Sequence, residues 1–179
     1  FFGLAVTNGD LAKHVLERLR VHGWDEARDE SERQLSAEDL ADELRRRIAK
    51  HRPTIELAVQ IDDKLASKAI AGSTRVRVRA GATFAPWEAD GLFCHEVETH
   101  AFTAQNGAAQ AHATFVRAGG PRSTPTQEGL AVFAELYNRA LAVPRLERLA
   151  MRVTMVGMAE DGASFLDLYR LLLERGWKP

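Results

Sequence analysis

The chain has 179 residues, 45% of them apolar and 27% charged, with a formal net charge of −1. This length is sufficient for one domain with its own core, and the near-neutral charge removes the electrostatic basis for binding nucleic acid or an anionic membrane. No run of about 18 apolar residues occurs, so we expect no transmembrane segment. The single cysteine, Cys94, precludes an intramolecular disulfide and favours a reducing, cytoplasmic location.

The first 53 residues predict helices joined by a polar connection. Asn8 to Asp10 start the first helix, and the charged, apolar-poor residues 25–34 predict a loop. Ser36 and Asp39 have the spacing of a capping box, which predicts a second helix through Lys50 that Pro53 terminates.

Two strands are predicted next, over residues 54–61 and 74–79, with a short helix over 65–72 between them. The second strand alternates strictly, which places Val76 and Val78 inward and three arginines on the opposite face. It leads towards the segment around residue 95. We therefore expect this strand to offer an edge to which an extended peptide could add.

The next predicted helix runs from Trp87 to about Gln105 and contains Cys94-His95-Glu96-Val97-Glu98-Thr99-His100. Two imidazoles can bind Zn²⁺, and a carboxylate directly after the first is suited to accept a proton from a water molecule. The histidines are five residues apart, which is about 140° around a regular α-helix. The spacing therefore predicts a widened, π-type turn between Glu96 and His100.

A third ligand is needed for a catalytic zinc site, because such sites have three protein ligands and one open position. The best candidate is Glu128, which stands near the start of a further predicted helix, from about Thr126 to Leu141. His112 is the rival ligand, and Cys94 is interpreted as core packing because adjacent helical side chains diverge by about 100°. The alternative is that the two histidines are incidental residues of a metal-free helical interaction module.

The sequence at this point resembles a known family. The pair HEVETH and TQEGLA, with the approach RVRVRAGATFAPWEADGLF and the tail RLAMRVTMVGMAEDGASFLDLYRLLLERGW, is similar to the tyrosine-carboxypeptidase-like metallopeptidases. This family includes the microtubule-associated tyrosine carboxypeptidases and bacterial proteins labelled by a QEGLA motif. The resemblance extends from about Thr54 to Gly176, and it implies that His95, His100 and Glu128 bind one Zn²⁺ ion while Glu96 is the general base.

We therefore expect an α+β, zincin-like metallopeptidase domain over residues 1–179, with a helical N-terminal part (1–53) and a core that carries the metal site (54–179). A small sheet would pack with several helices, two of which hold the zinc. The resemblance implies a carboxypeptidase that releases a C-terminal Tyr or Phe from a peptide or protein substrate. Alternatives are a non-hydrolytic zinc-binding regulatory or scaffold protein and a zinc peptidase of endo- or amino-specificity.

Two further roles follow from this expectation. A carboxypeptidase pocket needs a cation for the free carboxylate, and the candidates are Arg79, Arg122 and Arg152. Glu135 lies seven residues after Glu128, on nearly the same helix face, where it could accept a hydrogen bond from the N–H of a zinc-bound histidine or pair with Arg139. The sequence does not indicate an oligomeric state.

The remainder of the chain predicts two more helices. Pro144 opens the first, which Gly157 and the pair Asp161-Gly162 interrupt, and Ser164 to Arg175 form the last, packed through Phe165 and nearby leucines.

Overall fold

The computed structural model describes residues 6–23, 34–118, 120 and 122–177. Its elements follow in the order α1 (Asn8–Val21), α2 (Ala37–His51), β1 (Ala58–Asp62), β2 (Ala69–Ala71), β3 (Arg75–Arg79), α3 (Pro86–Leu92), a π-helix (Phe93–Ala101), α4 (Phe102–Ala108), a 3₁₀-helix (Thr114–Ala118), α5 (Thr124–Tyr137), α6 (Val143–Glu160) and α7 (Phe165–Glu174).

The chain forms two compact units, one comprising Phe1–Asp29 with Val143–Pro179 and the other Glu30–Ala142. Helices α1, α6 and α7 belong to the first unit, and the sheet with the remaining helices belongs to the second. The α+β class is confirmed, whereas one domain over the whole chain stays a prediction. Most of the loop predicted over residues 25–34 lies outside the described residues.

The core of the second unit forms where α2 packs on the sheet. Helix α2 starts at Ser36 with the predicted capping box, in which Ser36 and Asp39 each satisfy the other's backbone N–H. Its apolar face and the inward face of the sheet are buried together; the buried residues include Leu40, Leu44, Ile48, Val59, Val76, Val78 and Phe84. Val76 and Val78 are fully buried, so the predicted alternation of β3 is confirmed.

The sheet has three strands in the order β1-β3-β2, with β1 parallel and β2 antiparallel to β3. The short helix predicted over residues 65–72 is wrong, because Ala69–Ala71 pair with β3 as a strand. This run of small residues has little preference of its own, and pairing with β3 decides its conformation. The prediction that β3 offers a free edge is also wrong, because β3 is the central strand and β2 lies at the edge.

The segment from Pro86 to Ala108 is helical throughout, and its middle nine residues form the π-helix Phe93–Ala101. The predicted widened turn between Glu96 and His100 is thereby confirmed, although the π-helix extends beyond it at both ends. Hydrogen bonds from residue i to i+5 bring side chains five residues apart onto one face. Thr99 adds a bond of the same spacing, since its hydroxyl donates to the Cys94 carbonyl at 3.0 Å.

Helix α5 ends at Tyr137, four residues before the predicted Leu141. Arg139 adopts a left-handed conformation with φ of 57°, and the backbone N–H groups of Ala140 and Leu141 both donate to the Glu135 carbonyl. This is a common way of ending a helix, although glycine usually occupies the left-handed position.

Two residues of the first unit, one glycine and one phenylalanine, differ from the prediction. Gly157 lies inside α6 and does not interrupt it. Helix α7 starts at Ser164 as predicted, but the side chain of Phe165 is 78% exposed and the predicted packing of that residue is wrong. None of the helices in the described parts of the chain combines the length and apolarity needed to cross a membrane.

Candidate metal centre

The π-helix places His95 and His100 beside each other. Their ring centroids are 4.9 Å apart with the ring planes inclined at 67°, and both side chains are mostly buried. In a regular α-helix a separation of five residues would direct the rings to different sides. The unusual helix geometry is therefore what makes this pair usable as a joint binding site.

Glu128 approaches both imidazoles from α5. Its Oε2 atom lies 3.4 Å from Nε2 of His95, and its Oε1 atom lies 3.5 Å from Nε2 of His100. The three side chains can present ligand atoms that all lie within 4.8 Å of one another. Within the described residues this is the one cluster of at least three His, Cys, Asp or Glu side chains with such geometry. The structure thus brings together the three predicted ligands.

The donor set fits a zinc ion. Tetrahedral ligands at about 2.0–2.2 Å from Zn²⁺ stand about 3.3–3.6 Å from each other, and both measured nitrogen–oxygen separations fall in this range. A direct charge-assisted N–H···O bond would be shorter, at about 2.7–2.9 Å. Two imidazoles and one carboxylate also match the ligand types of known catalytic zinc sites.

The other ring nitrogen of each histidine contacts an oxygen acceptor. Nδ1 of His95 lies 2.7 Å from Oε1 of Glu135, and Nδ1 of His100 lies 3.2 Å from Oε1 of Gln127. Because a carboxylate or amide oxygen accepts, each Nδ1 is placed to donate its N–H, and Nε2 is the ring nitrogen that faces Glu128. With the proton held at Nδ1, Nε2 is the atom through which each imidazole could bind a metal.

Glu135 is 1% exposed and is among the largest fully buried side chains of the described residues. Its contact with His95 agrees with the first of the two interpretations given to it from the sequence. Gln127, by contrast, was missed at that stage. The available signal was its position directly before Glu128 in the motif TQEGLA.

Glu96 is held by the edge strand of the sheet. The backbone N–H of Ala71 donates to Oε2 of Glu96 at 2.8 Å, so the other carboxylate oxygen is not used by this bond. Burial raises the pKa of Glu96 above its usual range, while the nearby His95 and His100 rings and the Ala71 hydrogen bond oppose the increase. The catalytic candidate is thus a desolvated carboxylate with one oxygen fixed.

The neighbouring alternatives do not join this cluster. Cys94 is buried, and burial raises the pKa of its thiol to about 11, which is unfavourable for a thiolate ligand. His112 is exposed and is not part of the ligand group. Glu98 is half-buried, with Oε1 3.8 Å from Nη2 of Arg52.

The three arginines predicted to bind a substrate carboxylate occupy separate places. The Arg79 guanidinium donates to the Ala66 carbonyl at 3.0 Å. Arg122 is exposed and precedes α5, the helix that carries Glu128, by two residues. Arg152 is exposed on α6, in the other unit.

Comparison with known proteins gives one match. A sequence model of the family described as microtubule-associated tyrosine carboxypeptidase matches residues 1–179, the full length of the chain. No curated protein and no solved structure matches it.

Proposed function

Because the chain belongs to the microtubule-associated tyrosine carboxypeptidase family, we propose that it is a zinc-dependent carboxypeptidase that releases a C-terminal Tyr or Phe from a peptide or protein. The family supports carboxypeptidase activity, and the proposal adds the metal, the aromatic preference and the residues responsible. The observation that carries the metal assignment is the placement of Glu128, 3.4 and 3.5 Å from Nε2 of His95 and His100.

His95, His100 and Glu128 would hold one Zn²⁺ ion in a zincin-like site. When bound, zinc supplies Lewis-acid polarisation of the scissile carbonyl and lowers the pKa of a water molecule towards 7. Glu135 and Gln127 would keep the two imidazoles in the tautomer that leaves Nε2 unprotonated.

Glu96 is the general base and then the general acid. With Oε2 engaged by the Ala71 N–H, Oε1 accepts a proton from the water molecule whose oxygen attacks the substrate carbonyl carbon. The same carboxyl group then donates that proton to the departing amine as the C–N bond breaks. Desolvation of Glu96 favours this cycle. A raised pKa makes the carboxylate a better proton acceptor, and it lets the carboxyl group exchange its proton more readily near neutral pH.

The edge of β2 is the surface that would bind the substrate backbone. Residues of an antiparallel strand alternately direct their N–H and C=O groups towards the partner strand and away from it. The Ala71 N–H points away from β3 and donates to Glu96. The backbone groups of Ala71, and those of Ala69 two residues earlier, therefore face outward from the sheet. An extended peptide added at this edge would lie beside the general base.

The free carboxylate of the substrate requires a cation, and Arg79, Arg122 and Arg152 remain the proposed candidates. Arg122 is favoured because it is exposed and precedes the Glu128 helix directly. Replacing each arginine in turn by Gln separates them. Replacing the residue that binds the carboxylate should raise KM for the free-acid peptide, whereas replacing either of the other two should leave KM unchanged.

The deciding experiment combines metal analysis with a matched pair of substrates. Purified protein is expected to contain one zinc per chain and to release Tyr from a peptide ending in a free tyrosine, but not from the same peptide with an amidated C-terminus. Glu96→Gln should lower kcat by about 10²–10⁴-fold with zinc retained. Glu98→Gln, two residues further on and paired with Arg52, is the matched control and should leave kcat unchanged.

Each alternative has its own outcome. Bound zinc without turnover of any peptide would favour the regulatory or scaffold protein, and equal cleavage of the free and amidated peptides would favour an endopeptidase. Release of N-terminal residues would indicate an aminopeptidase. Absence of stoichiometric zinc from correctly folded protein would refute the metal site and leave the metal-free interaction module.

A further inference from the structure

We propose that Gln127 is a positioning residue of the metal centre, whose side-chain oxygen holds His100 in the tautomer and ring orientation that direct Nε2 towards Glu128. The proposal rests on the proposed function, since it assigns a role beside the three ligands. It concerns a residue that the sequence analysis left without any role.

The contact is specific in its geometry. Oε1 of Gln127 lies 3.2 Å from Nδ1 of His100, and the adjacent Glu128 has its Oε1 atom 3.5 Å from Nε2 of the same ring. Neighbouring side chains on a helix diverge by about 100°, which allows two consecutive residues of α5 to reach the two nitrogens of one imidazole. Glu128 would thus bind the metal while Gln127 orients the His100 ring.

The chemistry explains why the acceptor is needed. A neutral imidazole has one N–H, and its position depends on which nitrogen faces the better acceptor. Glu128 is a carboxylate beside Nε2 of His100, and on its own it would attract the proton to that nitrogen, where the proton would block metal binding. The Gln127 oxygen opposes this by accepting a hydrogen bond from the Nδ1–H, and at 3.2 Å it is closer to the ring than the Glu128 oxygen at 3.5 Å.

The two histidines are supported differently. His95 has the buried carboxylate of Glu135 as its Nδ1 acceptor, whereas His100 has a neutral amide that is half-buried. A second buried carboxylate at this position would add negative charge to a cluster that already holds Glu96, Glu128 and Glu135. A neutral acceptor fixes the His100 tautomer without that added charge.

The test uses the full-length protein and three variants. Gln127→Met has similar length but no acceptor, Gln127→Glu keeps an acceptor oxygen, and Gln110→Met is the matched control at an exposed glutamine whose side chain donates to the Asn106 carbonyl. The readouts are the ¹⁵N shifts of the His100 ring in metal-free protein and the zinc dissociation constant from chelator competition.

We expect Gln127→Met to move the proton of His100 from Nδ1 towards Nε2 and to weaken zinc binding about 10–100-fold. Gln127→Glu should retain the wild-type tautomer and bind zinc no more weakly than the wild type, and Gln110→Met should change neither property. Should Gln127→Met fail to fold, Gln127→Ala replaces it, because it also lacks an acceptor.

Wild-type tautomer and wild-type zinc affinity in the acceptor-free variant would overturn the proposal and leave the proposed function intact. A wild-type protein that does not bind zinc would instead overturn the proposed function. In that case the ring shifts of the metal-free protein still decide whether Gln127 sets the tautomer of His100.

Discussion

His95 has its two ring nitrogens in contrasting environments. Nδ1 is 2.7 Å from the buried carboxylate of Glu135, while Nε2 faces the carboxylate of Glu128, of which 53% is exposed. A strongly hydrogen-bonded Nδ1 makes the imidazole a more basic ligand through Nε2. Glu135 would therefore affect a bound metal without touching it.

Glu135→Gln is expected to weaken zinc binding about tenfold, at the low end of the range for such partners. The amide oxygen can still accept the Nδ1 proton, but the negative charge that raises the basicity of His95 is removed. Chelator competition measures the change, and Glu174→Gln on the exposed side of α7 is the control. Equal zinc affinity for wild type and Glu135→Gln would show that the charge has no role.

Individual residues differed in how far the sequence identified them. His95, Glu96 and His100 could be named because their residue types and spacing are those of a metal-binding motif, and Glu128 because of the family resemblance. Ala71 could not, because its contribution is a backbone N–H that any residue except proline provides. Its position depends on the pairing of β2 with β3, which no local pattern of small residues indicates.

At the scale of elements, close packing constrains the chain beside the metal centre. A Cβ atom added to Gly107 on α4 would lie 2.6 Å from the backbone N and Cα of Arg117, in the 3₁₀-helix Thr114–Ala118. No side chain fits at that distance without displacing the backbone of one element. Gly107 is therefore required by the approach of the 3₁₀-helix to α4.

Gly107→Ala is expected to lower the free energy of unfolding by about 1–3 kcal/mol, as overpacking does. Gly157→Ala is the matched control, since Gly157 lies within α6 and a Cβ there would meet nothing within 4 Å. That variant should gain about 0.5–1 kcal/mol, because glycine is unfavourable inside a helix. Urea denaturation of both variants tests the pair, and similar changes in both would contradict the packing argument.

Helix α7 has a capping box that depends on pH. The Ser164 hydroxyl and backbone N–H donate to the Asp167 carboxylate and hold its pKa below the ordinary value of 3.8. A lowered pKa in the folded state means that the carboxylate stabilises the helix fully above its ordinary pKa. This stabilisation is lost as the pH falls through the lowered value.

Backbone NMR shifts of residues 164–168 should therefore report loss of the helix start on acidification from about pH 6 to about pH 2. Asp167→Asn should reduce this pH dependence, whereas Asn at the exposed Asp161 should not. An unchanged response in Asp167→Asn would assign the acid sensitivity to another group.

At the scale of the whole molecule, the core and the candidate metal centre lie in the same unit. The apolar cluster from Ala37 to Ala101 and the residues His95, His100 and Glu128 all fall within Glu30–Ala142. The contacts from Gln127, Glu135 and Ala71 also lie within it. The site can thus be formed by one compact unit.

We expect a fragment comprising residues 30–142 to fold and to bind one zinc ion with an affinity close to that of the full chain, because each ligand and each Nδ1 acceptor is included. Circular dichroism and chelator competition measure this. His95→Ala in the fragment is the control that removes a ligand. A folded fragment that does not bind zinc would show that the other unit contributes to the site.

The sequence by itself predicted the candidate site residues and determined the local structures that depend on near neighbours. The capping box at Ser36, the helix start at Ser164 and the alternation of β3 involve residues a few positions apart, as does the π-helix predicted from the five-residue histidine spacing. Only the tertiary structure decided that residues 69–71 form an edge strand and that Gln127 and Glu135 each contact a histidine. Those contacts join residues 25 to 40 positions apart, and they depend on how the elements pack together.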